Sequence, residues 1–265
     1  MKRILLDAGH YKNYNQSPVL PSYYEGNMTF KLANFIKSHI EKNYPIKVDL
    51  TRTNIYKDLS VFNRGYLAKG YDAFYSLHSN FVNDSSVDRV VIIQGVNTKN
   101  DSYSLKLGNK ISSIMSVTQK TQVYEKPTSN GGEYYGVLRG AKSAGVKDRF
   151  IIEHSFHSNL KSAKFLSIDS NLLKLAIAEG DIMAERLGVR REEGKEGLWV
   201  NGDYGCVVEC TENLNLREGR GTGFKVIETI KKGTKFKIEY VKDNWGSTWN
   251  FGKVGYVCMD YVKKV

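Results

Sequence analysis

What most restricts the fold of this chain is the alternation of two hydrophobic patterns over its first 188 residues. Short apolar runs at Arg3–Ala8, Ile46–Thr51, Ala73–His78, Arg89–Gln94 and Phe150–Glu153 read as strands. Longer segments at Gly26–Lys42, Ser60–Lys69, Ser102–Met115 and Ser170–Leu187 read as helices, and in the first of them Phe30, Ala33, Ile36 and Ile40 recur at helical spacing. Strands joined through helices of this length pair in parallel by right-handed crossovers. The pattern therefore predicts an α/β domain over residues 1–189, a mostly parallel twisted sheet flanked by helices. The polar stretch Gln119–Tyr135, with Pro127 and Gly131-Gly132, is expected to be a loop rimming a site.

Near Gly188 the texture changes. Residues 190–197 are charged, glycine-flanked and without apolar periodicity, which marks a linker. Beyond them, residues 198–265 carry short β-rich segments: Val207–Cys210, Leu214–Arg217, Val226–Ile230, Lys235–Val241, Ser247–Phe251 and Gly255–Cys258. Turns such as Gly-Arg-Gly and Lys-Lys-Gly separate them, so a small all-β barrel is expected.

Composition removes several function classes. No apolar run approaches the ~20 residues that span a bilayer. The first nine residues hold only three strongly apolar ones in succession, against the roughly 7–15 of a secretory signal. Synthesis in the cytosol without a signal peptide is the expectation. The net charge of +11 is spread along the chain rather than gathered in an arm. That weakens a nucleic-acid reading, which favours a clustered stripe. It suits an extended polyanion such as a bacterial wall, and equally plain solubility. Three cysteines, Cys206, Cys210 and Cys258, are an odd count with no fourth ligand nearby, and read as small buried hydrophobes.

One residue calls for chemistry. Glu153 places a carboxylate at the end of an apolar run, where burial costs several kcal/mol unless a partner or metal compensates it. In a parallel sheet, ligands collect at the carboxyl ends of the strands. His10 follows the first strand, His78 ends the third, and Glu25 opens the first helix. Two imidazoles and a carboxylate are the ligand set of a catalytic zinc with a position left for water, and a second carboxylate could then move protons. Each residue alone has a plainer reading. A His after a strand is more often just hydrogen-bonded, and Glu25 is also an ordinary first-turn carboxylate. His39 is assigned to the surface of the first helix. His154 and His157 flank Glu153 as ligands, as partners of ligands, or as structural residues.

The segments Leu6-Asp-Ala-Gly-His10, Glu25-Gly-Asn27, Leu50-Thr-Arg-Thr53, Leu59 to Arg64, Tyr71 to Asn80 and Ile151 to Asn159 resemble, in order and spacing, the zinc-dependent N-acetylmuramoyl-L-alanine amidases. The resemblance covers about residues 3–187. It implies that His10, Glu25 and His78 hold Zn2+ and that Glu153 is the catalytic carboxylate. It also implies hydrolysis of the amide between the muramic acid lactyl group and L-alanine of the peptidoglycan stem. Two places depart from the family: Tyr11-Lys12 stand where Gly-Gly is usual, and His154-Ser155 where Val-Gly is more common. Asn80 and Asn159, which recur in the family, are read as loop-shaping residues.

Residues 198–265 resemble bacterial SH3-like (SH3b) wall-binding domains through Leu214 to Gly221, Lys231 to Lys235, Asn244 to Trp249 and Val254 to Val262. Trp245 and Tyr256 are fixed marks of that resemblance and are equally readable as core aromatics. Trp199 or Trp249, if exposed, could stack on glycan or peptide. Together the resemblances imply a peptidoglycan hydrolase of the phage endolysin or autolysin type. A zinc peptidase cutting within the stem, and a metal-free wall-binding regulator, are the alternatives.

Overall fold

The structure is a computed structural model and describes residues 1–191, 199, 202–249, 251–252 and 254–265. The chain forms two compact units, Met1–Arg191 and Glu192–Val265. Of the expected linker, Arg190 and Arg191 are described; residues 192–197 lie outside the described residues.

The first unit is built on a six-stranded sheet, β1 (Lys2–Ala8), β2 (Ile46–Leu50), β3 (Ala73–Asn80), β4 (Val91–Gln94), β5 (Gln122–Tyr124) and β6 (Asp148–Phe156), in the order β2-β1-β3-β6-β4-β5. All neighbours pair in parallel except β4 and β6, which are antiparallel. The reason lies in the chain between β3 and β4. It is a loop of residues 81–90 without a helix, so the chain re-enters the sheet from the end it has just left. Six helices complete the unit: α1 (Glu25–Asn43), α2 (Val61–Tyr66), α3 (Asp101–Met115), α4 (Gly136–Ser143), α5 (Leu160–Leu166) and α6 (Asp169–Arg186).

Strand alternation divides the core in two. Ile4, Leu6, Tyr75, Leu77, Phe150 and Ile152 pack with α1, α3, α5 and α6. Leu5, Phe74, Val91, Ile93 and Ile151 face the other way, against α4 and the end of the α2 segment. This is the period-2 signature of a sheet covered on both faces.

Three expectations are corrected here, and two helices are added. Glu153 does not end its strand, because β6 continues to Phe156. The expected loop at Gln119–Tyr135 contains the edge strand β5. Helices α4 and α5 were not foreseen; they are short, and α4 opens on Gly136 and carries a second glycine, Gly140, inside it. His39 is not on the surface: it is wholly buried, with Nε2 2.6 Å from Asp181 Oδ1 on α6. Helix α1 packs α6 on the flank that its hydrophobic stripe leaves polar, and Asp181 compensates the imidazole there.

The second unit is all-β. Its strands β7 (Gly202–Cys210), β8 (Leu214–Arg217), β9 (Val226–Ile230), β10 (Lys235–Lys242), β11 (Trp245–Thr248), β12 (Gly255–Cys258) and β13 (Val262–Lys264) form one antiparallel sheet in the order β13-β7-β10-β11-β12-β8-β9. Val208, Leu216, Phe236, Ile238 and Val257 form its core. Trp199 is buried in that core rather than exposed, while Trp249 is 63% exposed. Trp245 and Tyr256 are half-buried. Cys210 is buried; Cys206 and Cys258 are half-buried.

Candidate metal centre

The site begins where β1 ends. Gly9 is required there: a Cβ would lie 2.4 Å from the His78 ring and 2.7 Å from the Leu77 carbonyl. His10 follows in the left-handed region at φ 61°, which turns its ring back over the sheet edge. Two buried guanidinium groups hold this turn by its carbonyls. Arg52 donates from Nε to Ala8 O at 2.9 Å and from Nη2 to Gly26 O at 2.7 Å. Arg64 donates from Nη1 to Ala8 O at 2.9 Å and from Nη2 to His10 O at 2.8 Å. Its charge is met by Asp7 at 3.2 Å and Asp58 at 2.8 Å. Both arginines lie in segments that carried the family resemblance, yet their sequence positions alone did not give them a role.

Glu25 opens α1 and is 1% exposed. Its Oε1 lies 2.8 Å from His78 Nδ1 and 3.3 Å from His10 Nε2, and it accepts the Ser79 backbone N–H at 3.0 Å. One ligand atom from each of His10, Glu25 and His78 falls within 4.8 Å of the others. Burial alone would raise the Glu25 carboxyl. The hydrogen bonds and charges of His10 and His78 outweigh it and hold that group well below the usual carboxylate range. The same pairing, against the cost of burial, lifts His78 to about 9.

Glu153 stands directly across the β3–β6 ladder from His78. It is half-buried, and its Oε2, shielded from solvent, has no hydrogen-bond partner among the described residues. Burial pushes its carboxyl up to about 7; the negative charge of Glu25 adds to this, while His78 and His154 oppose it. His10, His78 and Glu153 all line one cleft of about 470 Å³. Tyr11, Tyr14, Tyr135 and Val137 contribute to its walls, and the Tyr14 ring stacks on His10 at 4.7 Å. The unusual Tyr11 therefore shapes the cleft. Lys12 turns aside, donating to Tyr56 OH at 3.1 Å.

The two histidines beside Glu153 separate cleanly from it. His154 points to the opposite face of the sheet and is wholly buried. Its Nδ1 lies 2.9 Å from the His78 carbonyl oxygen and its Nε2 3.0 Å from Glu179 Oε1. His157 Nδ1 meets Ser79 Oγ at 3.0 Å and stays 4.0 Å from Glu25 Oε2. Ser155 takes φ 59°, where the β3–β6 register shifts. A residue there must tolerate the left-handed region, which explains why glycine suits the position. Asn159 caps α5, accepting from Ser162 N at 3.1 Å, and Asn80 accepts from Phe81 N at 2.8 Å, both loop-shaping contacts.

A cleft at the carboxyl ends of parallel strands, with a His/Glu/His cluster beside a poised carboxylate, agrees with the sequence itself. Residues 4–182 match the profile of the N-acetylmuramoyl-L-alanine amidase family, Amidase_3. The chain belongs to that family. It is thus an amidase of the class that acts on peptidoglycan. Its fold is shared with solved amidases. The catalytic domain of CwlV, an N-acetylmuramoyl-L-alanine amidase from Bacillus (Paenibacillus) polymyxa var. colistinus, aligns at TM-score 0.61 and 19% identity over 72% of this chain and 100% of its own. An N-acetylmuramoyl-L-alanine amidase from Clostridium difficile 630 aligns at 0.60 and 17%, over 71% and 97% of the two chains. AmiC2 of Nostoc punctiforme aligns at 0.58 and 16%, over 71% and 97%. At these identities the likeness shows the fold alone. A comparison with curated proteins found no match. Among the described residues, no helix of the amidase is long and apolar enough to cross a membrane.

Proposed function

We propose that this amidase hydrolyses the bond between N-acetylmuramic acid and L-alanine with a zinc ion held by His10, Glu25 and His78, and with Glu153 moving the proton. The observation that carries the proposal is the clustering of two imidazoles and one carboxylate beside a second carboxylate, Glu153, whose Oε2 has no hydrogen-bond partner among the described residues. The donor set fits zinc, being nitrogen and oxygen from three side chains. A bound zinc would supply Lewis-acid polarisation of the scissile carbonyl and acidify a water.

The chain's own residues do the rest. Arg52 and Arg64 hold the His10 turn, and Ser79 N–H orients Glu25. Glu153 takes a proton from the attacking water and passes it to the departing nitrogen. The C–N bond breaks, leaving a lactyl carboxylate and a free L-alanine amino terminus. A carboxyl poised near neutrality can serve in both directions. Mass spectrometry of fragments released from purified walls tests the reaction. New L-alanine amino termini are expected, and termini at any other stem residue would replace the amidase reading with a peptidase one.

The proposal extends to the second unit as an SH3-like module that grips the wall, supported by its seven short antiparallel strands and the exposed Trp249. Deleting it should lower binding to purified walls while sparing cleavage of soluble fragments.

Zinc affinity should depend on pH. Without metal, His78 has its proton affinity raised above the ordinary value of about 6.5, so its pairing with Glu25 stabilises the fold below that pH. That contribution is lost as pH rises through about 9. Zinc takes a neutral imidazole, so its apparent affinity should climb over the same interval. Chelator competition at stepped pH checks this, and a flat curve contradicts it.

A further inference from the structure

The His10 turn contains a residue that the mechanism has not used. Asn15 Nδ2 donates to Glu25 Oε2 at 2.8 Å and lies 3.1 Å from His10 Nε2. Its backbone carbonyl accepts the Glu25 N–H at 3.0 Å. One asparagine thus touches two of the three clustered residues, and one of them by both main chain and side chain.

The surrounding loop is built to hold it there. His10, Asn13 and Asn15 all sit in the left-handed region, at φ 61°, 57° and 52°. The loop folds back over the first turn of α1, where Gly26 N donates to Tyr14 O at 3.2 Å. A Cβ on Gly26 would fall 1.9 Å from the Tyr11 carbonyl oxygen, so the contact is backbone on backbone. Asn13 and Asn27 close it with two reciprocal bonds of 2.9 Å each. The two oxygens of Glu25 are consequently held apart in role. Oε1 faces His10, His78 and the Ser79 N–H, whereas Asn15 holds Oε2.

We propose that Asn15 is a positioning residue of this centre, its amide fixing the Glu25 carboxylate so that Oε1 is presented to the metal together with His10 and His78. The inference rests on the reading that these three residues hold zinc. Asparagine meets both demands of the position: it tolerates the left-handed region, and it offers an N–H donor to a carboxylate. Aspartate would set a second carboxylate against Glu25. Partners of metal ligands act by fixing ligand orientation, and their loss typically costs 10–100-fold in metal affinity or activity, roughly the change expected here.

The test is Asn15→Gly in the full-length protein. Glycine adopts positive φ without strain, so the substitution removes the amide and spares the backbone. Zinc dissociation constants are measured by competition with a chromophoric chelator, alongside the melting temperature of metal-stripped protein. The expected result is zinc bound about 10–100-fold more weakly, with the metal-free melting temperature of the wild type retained. Unchanged zinc affinity overturns the inference. A metal-free variant that has lost its fold also overturns it, because Asn15 would then be structural. Failure of the underlying reading looks different: wild-type protein would bind no zinc, or His10→Ala and His78→Ala would bind it as tightly as wild type.

Discussion

Replacing Glu153 by Gln is expected to slow amide hydrolysis by roughly 10²–10⁴-fold, the usual share of a general acid–base group. Gln keeps the side chain's size and removes only its capacity to carry a proton. The metal should stay, because Glu153 lies outside the His10, Glu25 and His78 cluster. Activity and zinc content are therefore read on the same preparation. A variant that hydrolyses walls at the wild-type rate would remove Glu153 from the chemistry, and one that loses its zinc would make it a ligand.

The second large effect concerns stability. Arg149 Nη2 and Nε lie 2.5 and 2.9 Å from Glu133 Oε1, with both side chains almost wholly buried. The same oxygen accepts the Val96 backbone N–H at 2.9 Å. Glu133→Ala strands a guanidinium in the interior, which costs about 3–5 kcal/mol. Urea unfolding of the first unit would show this as a shifted midpoint. By contrast, the exposed Lys232–Glu212 pair should contribute about 0–1 kcal/mol. A loss no larger than that exposed pair's would contradict the account. Because Glu133 anchors the segment that carries Tyr135 to the cleft, a rise in KM should accompany the lost stability.

How far the sequence carries differs from element to element. Helices α1, α3 and α6 were legible within a residue or two because each sustains a long apolar stripe. The strand β5 was not, since three residues between polar neighbours carry too little pattern to stand out. The antiparallel entry of β4 had a signal, the lack of any helix between β3 and β4, and it fits the expectation of a mostly parallel sheet.

The candidate site was legible in the same uneven way. His10, Glu25, His78 and Glu153 stand at or near strand and helix ends, where the parallel topology brings them together. Their partners could not be read. Arg52, Arg64 and Asn15 act through carbonyls and carboxylates distant in the chain, and an asparagine in an asparagine-rich loop looks like turn chemistry. His39 was misread because one helix face was judged without knowing that α6 covers another. Likewise His154 sits one residue from Glu153 and faces the opposite side of the sheet, a consequence of strand alternation once β6 is seen to run through both.

The most direct test of the central claim is zinc reconstitution. Chelator-stripped protein is titrated with zinc while bound metal and wall hydrolysis are followed together. Hydrolysis should return in step with zinc and saturate at one ion per site, and neither should return in His10→Ala or His78→Ala. Full hydrolysis by stripped protein, or by the histidine variants, would contradict the account.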